Sequence, residues 1–251
     1  MAFDLHTVRL RMPDRRIEWY QTVESTMTIA AALAREGVAS GTVVGADEQS
    51  AGIGRHGHSW HSEPDAGLYT STVLRLPVSA RELPVVSLAL GLAVQQAIAE
   101  AAGLAVDLRW PNDVILNGKK CAGILPVVEG DAVIAGIGIN VNHGDFPPEI
   151  RPLATSLKLA GATHVSREDL LIALVNAIEE YCAILTNAGS GAILDLFTKA
   201  SSYAEGRRVR VEQDGANIEG VTCGLDSAGF LKIRQEDGKE TKILAGGVRP
   251  V

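Results

Sequence analysis

Gly52, Gly54 and Gly57 stand at the spacing of a dinucleotide-binding fingerprint, and whether they open a helix decides which folds the chain can adopt. A strand running straight into G-x-G-x-x-G and then a helix would dictate a doubly wound parallel sheet, with a pyrophosphate on the helix N-terminus. Here the strand-like run Thr42-Val43-Val44-Gly45-Ala46 is followed by the polar segment Asp47-Glu48-Gln49-Ser50-Ala51 before the first glycine. After Gly57 comes His58-Ser59-Trp60-His61-Ser62-Glu63-Pro64-Asp65, which lacks an apolar helical period and holds a proline. No helix starts there. The nicotinamide or flavin oxidoreductase reading fails on context, and the glycines describe a loop.

The rest of the chain points to a mixture of paired strands and helices. Ile17 to Val23 reads as a strand, and Ser25-Thr26 as the cap of a helix through Arg35, stopped by Gly37. Strands are expected over 42–46 and 68–76, then a long helix from Glu82 to Ala102 ended by Gly103. Leu108 and Trp110 end a strand, Pro111-Asn112-Asp113 turns, and Val114-Ile115-Leu116 runs into the hairpin signal Asn117-Gly118. Strands over 123–128 and 132–141 continue the sheet. Ser166-x-x-Asp169 caps a helix to about Leu185, and a second helix covers 191–200. From Glu205, short strands over 207–212, 218–225, 229–235 and 240–244 are divided by Asp214-Gly215, Asp226-Ser227 and Asp237-Gly238. The expected architecture is α+β, a large domain over 1–203 and a small β-barrel over 204–251.

A chain of 251 residues with 46% apolar content can bury a sizeable core. Its net charge of −7 argues against nucleic-acid binding. The three cysteines, Cys121, Cys182 and Cys223, form no C-x-x-C pair and suit a reducing compartment. The start of the chain carries Asp4, Arg9, Arg11, Arg15 and Arg16 and no signal-peptide core, and no stretch approaches the roughly 20 apolar residues of a membrane span. A soluble, cytoplasmic protein without a membrane partner is expected.

Four polar constellations fall at strand ends or in loops: Glu24-Ser25-Thr26; the glycine loop with Arg55; Arg109-Trp110-Pro111-Asn112-Asp113 with Lys119-Lys120-x-x-Gly123; and Gly136-x-Gly138-Ile139-Asn140-Val141-Asn142. Glycines beside Arg55, without G-K-[ST], suit a loop that meets an anion through backbone N–H groups and a bidentate guanidinium. Lys120 adds a point charge, Asp113 is the candidate Mg²⁺ ligand, and Asn140 and Asn142 share a strand face where they can read a base or a carbonyl. Such parts fit acyl adenylation. Each has a plainer reading. Ser25 alone is a helix cap, Arg55 and Lys120 are surface charges, Trp60 is a loop anchor, and Asn112-Asp113 is turn chemistry. His56, His58 and His61 raise zinc, but no carboxylate or cysteine partner is evident in sequence.

In this order the segments ESTM (24–27), DEQSAGIGRHGHSW (47–60), LRWPNDV (108–114), KKCAGIL (119–125) and GIGINVN (136–142) resemble the biotin protein ligases. The resemblance covers residues 17 to 203, and the C-terminal strands are similar to that family's small last domain. It implies a mixed sheet flanked by helices, related to the class II synthetases and lipoate ligases, with an SH3-like β-barrel. It implies a two-step, AMP-forming reaction in which biotin and MgATP give biotinyl-5′-adenylate. A lysine of a biotin carboxyl carrier domain then takes the biotin.

By matching position, Ser25, Thr26 and Gln49 would bind the ureido end of biotin, and Gly52, Ile53 and Gly54 would cover it. Arg55, His56, Gly57 and Trp60 would close on the adenylate, with Asn112 and Asn140 on its nucleotide side. Lys120 would polarise the biotin carboxylate and the α-phosphate, Gly123 would let the bicycle approach, and Asp113 would place Mg²⁺ or the incoming lysine. Ile53 replaces an arginine usual in the family, Met27 an asparagine, and Val127 an acid. The resemblance further implies a monofunctional enzyme without an N-terminal DNA-binding domain, and a homodimer as a candidate assembly. The rival readings are a lipoate or octanoate ligase, and a biotin sensor that has lost its chemistry.

Overall fold

The computed structural model describes residues 3–163, 165–213 and 215–251, so Asp214 of the expected Asp214-Gly215 turn lies outside the described residues. In chain order the elements are α1 (Leu5–Arg11), β1 (Ile17–Val23), α2 (Thr26–Arg35), β2 (Val43–Gln49), β3 (Gly67–Leu74), α3 (Leu83–Ala102), β4 (Asp107–Arg109), β5 (Asp113–Leu116), β6 (Lys119–Glu129) and β7 (Ala132–Asn140). Then follow α4 (Arg167–Ala188), α5 (Ser190–Ala200), β8 (Glu205–Gln213), β9 (Ala216–Leu225), β10 (Leu231–Arg234), β11 (Glu240–Ile243) and β12 (Arg249–Pro250). Short 3₁₀ turns occupy Arg55–Gly57 and Ala80–Glu82.

Strands β1 to β7 form one mixed sheet in the order β1-β2-β3-β7-β6-β5-β4. The β1–β2 pair is parallel and the rest are antiparallel. Period-two alternation buries both faces. Val43, Leu74 and Val133 enter the large core with α3 and α4, while their neighbours Val44, Val73 and Ile134 pack against Ala30, Leu33 and Ala34 of α2. Asn117 and Gly118, with φ of 51° and 78°, make the β5–β6 turn that the Asn-Gly pair predicts. The remaining strands form a second, antiparallel sheet in the order β11-β10-β9-β8-β12. Residue 203, where the sequence places a boundary, lies between α5 and β8.

Helix α3 corrects one expectation. With its preceding turn it spans 23 residues, Ala80–Ala102, and an 18-residue stretch of it has a mean hydropathy of 1.5, enough by length and composition alone to cross a membrane. Its alanines, Gly91 and Ser87 dilute the apolar run to the eye, yet the helix is apolar on nearly every side because it is enclosed. The sheet, α4, α5 and the C-terminal sheet all pack on it. The two sheets also meet at Trp110, whose indole Nε1 donates to the Gly229 carbonyl at 2.9 Å, both inside the same apolar core. The peptide bond that follows, Trp110–Pro111, is cis.

Candidate active site

On the α2 side of the sheet, β7 carries Ile134, then Gly136 and Gly138 at alternate positions, and β6 sets Gly123 opposite Gly138. Side chains therefore stop where the apolar core under α2 ends, and a pocket opens on bare backbone. Thr26 and Met27 of α2, Gln49 of β2 and Leu125 of β6 contribute to its walls. A Cβ on Gly136 would lie 2.2 Å from the Met27 sulfur, so Met27 lies directly on that glycine.

The segment 52–60 forms a hairpin over this floor. Gly54 N–H donates to the His58 carbonyl at 2.7 Å, Trp60 N–H donates to the Gly52 carbonyl at 2.8 Å, and Ile53 bridges Ser59. The reversal is made by His56 and Gly57, with φ of 56° and 76°. At the base a Cβ on Gly52 would meet the Trp60 carbonyl at 2.8 Å, so only glycine lets the two strands approach. The hairpin presses the Trp60 ring onto the floor, where a Cβ would lie 2.5 Å from it at Gly138 and 2.8 Å at Gly123.

Cations gather at one end of the pocket. Asp113 Oδ1 pairs with Lys120 Nζ at 2.6 Å, and its Oδ2 with Arg109 Nη2 at 2.7 Å. Burial pushes the Asp113 carboxyl up, but Lys120 and Arg109 outweigh it and hold the pKa below the ordinary 3.8. Lys120 Nζ also lies 5.4 Å from the centroid of the Trp60 ring. Arg55 reaches down from the hairpin and donates to Asn112 Oδ1 at 3.2 Å, while the Asn112 amide donates to the Ile124 carbonyl at 3.0 Å. Burial lowers the Arg55 pKa and Asp113 opposes the shift.

The other end is uncharged. Gln49 Oε1 accepts from the Thr26 N–H at 2.8 Å and from the Thr26 hydroxyl at 3.1 Å. Ser25 has the position and extended backbone of a cap, but its hydroxyl makes no cap bond. That hydroxyl and the Trp60 Nε1 are buried without partners. The helix-cap reading of Ser25 is thereby corrected. An orphaned buried donor beside a pocket is a group that a ligand satisfies.

A neutral polar end, a glycine floor under an aromatic ring and a cationic end form a slot for a short apolar body with a polar head and an anionic tail. The Biotin/lipoate A/B protein ligase family model matches residues 19–143, and the Biotin protein ligase C terminal domain model matches residues 206–248. The Biotin--[acetyl-CoA-carboxylase] ligase of Mycobacterium tuberculosis is 32% identical over 232 residues, 90% of this chain and 85% of that protein. The chain belongs to the biotin protein ligase family. Bifunctional ligase/repressor BirA of Bacillus subtilis is 33% identical over 228 residues, covering 88% of this chain and 70% of the relative. The biotin protein ligase of Aquifex aeolicus, solved with biotin and ATP, superposes with a TM-score of 0.82 at 31% identity, over 94% of this chain and 99% of that one.

Within this biotin-ligase frame most sequence candidates converge. Thr26, Gln49, Ile53, Gly54, Arg55, Trp60, Asn112, Lys120 and Gly123 line the pocket. Others do not. Asn140 is buried and its amide donates to the Thr155 carbonyl at 3.0 Å, bracing the segment after β7 rather than facing the pocket. His56 and Gly57 are exposed at the hairpin tip. Asp113 has one cation on each carboxylate oxygen, which does not fit a direct Mg²⁺ ligand. Sequence reasoning gave no role to Met27, Gly136, Gly138 or Arg109. For the two glycines the signal was available, since their spacing of two in a strand puts both on one face.

Proposed function

We propose that the chain activates biotin with MgATP to biotinyl-5′-adenylate and transfers the biotin to one lysine of a biotin carboxyl carrier domain. The observation that carries this reading is the pairing of a cationic end, Lys120 and Arg55, with an uncharged polar end at Thr26 and Gln49 across a glycine floor, the unpartnered Ser25 hydroxyl being next in the chain to Thr26. In the first step a biotin carboxylate oxygen bonds to the α-phosphorus and pyrophosphate leaves. Lys120 faces the oxygens on which charge builds, and Arg55 holds the phosphate from above. Asp113 is a positioning residue, keeping Lys120 and Arg109 aimed. In the second step the carrier lysine's amine attacks the acyl carbon and AMP leaves. Trp60, pressed on Gly123 and Gly138, yields that place to the bicycle and covers it, keeping water from the anhydride.

The unpartnered Ser25 hydroxyl and the Thr26–Gln49 pair favour a ureido head over the fatty chain of lipoate or octanoate, which offers them nothing to bond. The test is ATP-dependent pyrophosphate release with biotin and octanoate compared side by side, followed by addition of a carrier domain. Release with biotin alone, then a single modified lysine, is expected. Release with octanoate instead would assign the chain to the lipoate branch. Tight biotin binding with no release would make it a sensor, and Ile53→Arg would be the first variant to restore activity.

A further inference from the structure

Beyond the pocket, the residues that follow the hairpin meet the end of β7. Among the described residues, one group of three metal-ligating side chains converges: His61, Glu63 and His143 offer one ligand atom each, all within 4.8 Å of one another. Two donors on a tetrahedral zinc lie about 3.4 Å apart, so movements of less than about 1 Å per side chain close such a group on an ion. Of the histidine run seen in sequence only His61 takes part. The partners that run lacked come from Glu63 and from His143, 82 positions beyond His61.

The hydrogen bonding of His143 is compatible with a metal-ligating role. The Tyr69 hydroxyl donates to the Glu63 carbonyl at 3.2 Å and accepts the Glu63 N–H at 3.0 Å. That hydroxyl has one hydrogen: when it serves the Glu63 carbonyl, the imidazole donates across the 3.1 Å contact with His143 Nε2, and when it serves Nε2 the roles reverse. In the first arrangement the ring proton sits on Nε2 and the Nδ1 lone pair is free to bind an ion. His143 is wholly buried, and Nδ1 finds no hydrogen-bond partner. A ligating histidine characteristically donates its other ring N–H to a fixed oxygen, and the Tyr69 hydroxyl stands where His143 Nε2 would do so. Phe146 stacks on the ring with centroids 5.1 Å apart and walls one side. Glu63 is exposed, giving an ion a path in and a negative charge to meet.

We propose that His61, Glu63 and His143 bind one divalent transition-metal ion of the zinc class, with water in the remaining position. Two imidazoles and one carboxylate suit that class better than Mg²⁺ or Ca²⁺, which take oxygen ligands. The ion joins the outgoing strand of the hairpin, through His61 and Glu63, to the segment after β7, through His143. It is a tie at the base of the lid.

The full-length chain, stripped with chelator, is titrated with Co²⁺ and followed by its visible d–d absorption, then challenged with Zn²⁺. One equivalent of Co²⁺, displaced by Zn²⁺, is expected. His61→Ala and Glu63→Gln each weaken Co²⁺ binding by at least about 100-fold, the upper end of what losing an outer-shell partner costs. His58→Ala, on the same hairpin but outside the group, keeps the parent's affinity. A parent without a stoichiometric Co²⁺ spectrum overturns the proposal, as does equal loss in His58→Ala or none in Glu63→Gln. Glu63 is exposed, so its variant reports even where His61→Ala disturbs folding. The titration needs neither biotin nor ATP, and its failure leaves the ligase reading standing.

Discussion

Lys120 is aimed by the protein's own side chains. Asp113 fixes its ammonium at 2.6 Å, and the Trp60 ring lies beside it. Removing that cation leaves the developing charge at phosphorus without its nearest counter-charge. Lys120→Ala is expected to lower the rate of pyrophosphate release by about 10²- to 10³-fold. Near-normal release in the variant would take Lys120 out of the chemistry. His143 supplies a pH dependence of a different kind. Burial, with His61 adding to it, pushes its pKa down from 6.5 to about 4. The folded state thus favours the neutral ring, and between these values the unfolded chain binds the extra proton. The contribution is present above pH 6.5, erodes as pH falls below it and is gone below about pH 4. Denaturant melts in chelator should lose on the order of 2–3 kcal/mol across that window. His143→Asn should flatten the slope, and an unchanged slope would assign the acid sensitivity to other groups.

At the scale of elements, β7 is a core strand over its first half and a binding floor over its second, and the change is made by withholding side chains. A methyl at Gly138 meets the Trp60 ring at 2.5 Å. Gly138→Ala should therefore lift Trp60 and crowd whatever shares the floor. At the usual 1–3 kcal/mol for overpacking, the KM for biotin rises about 5- to 150-fold. The melting temperature should stay near the parent's, because the displaced ring belongs to a surface hairpin; a large fall in stability with unchanged KM would contradict the floor. Elements with strong periodicity or turn chemistry were legible in sequence: α2, α3, the Asn117-Gly118 hairpin and the Ser166 cap, whose hydroxyl accepts the Asp169 N–H at 3.1 Å. Helix α1 was not, because it buries Val8 alone and its surface is charged. The first turn of β6 was hidden by Lys119 and Lys120, which read as loop. The pocket residues were legible as a family pattern and much less so singly. The inward turn of Asn140 and the meeting of His61 with His143 depend on tertiary contacts that no local spacing encodes.

At the scale of the whole molecule, a buried cation joins regions distant in sequence. Arg167, 3% exposed at the first turn of α4, pairs with Asp47 of β2 at 2.8 Å and with Asp65 at 3.2 Å. Arg167→Met leaves the mostly buried Asp47 without its one ion-pair partner among the described residues, and a loss of about 3 kcal/mol is expected in denaturant melts. Asp47→Asn in the same chain should recover part of it, and additive losses would show that the pair is not coupled. The link between the sheets acts on another quantity. The indole that reaches Gly229 belongs to the residue two positions before Asn112 and three before Asp113, the pair that orients Arg55 and Lys120. The exchange of that single indole proton with solvent therefore keeps time for the whole assembly. It should be as slow as global unfolding if the small sheet stays seated through every turnover, and faster if the sheet lifts away and lets the cationic turn relax.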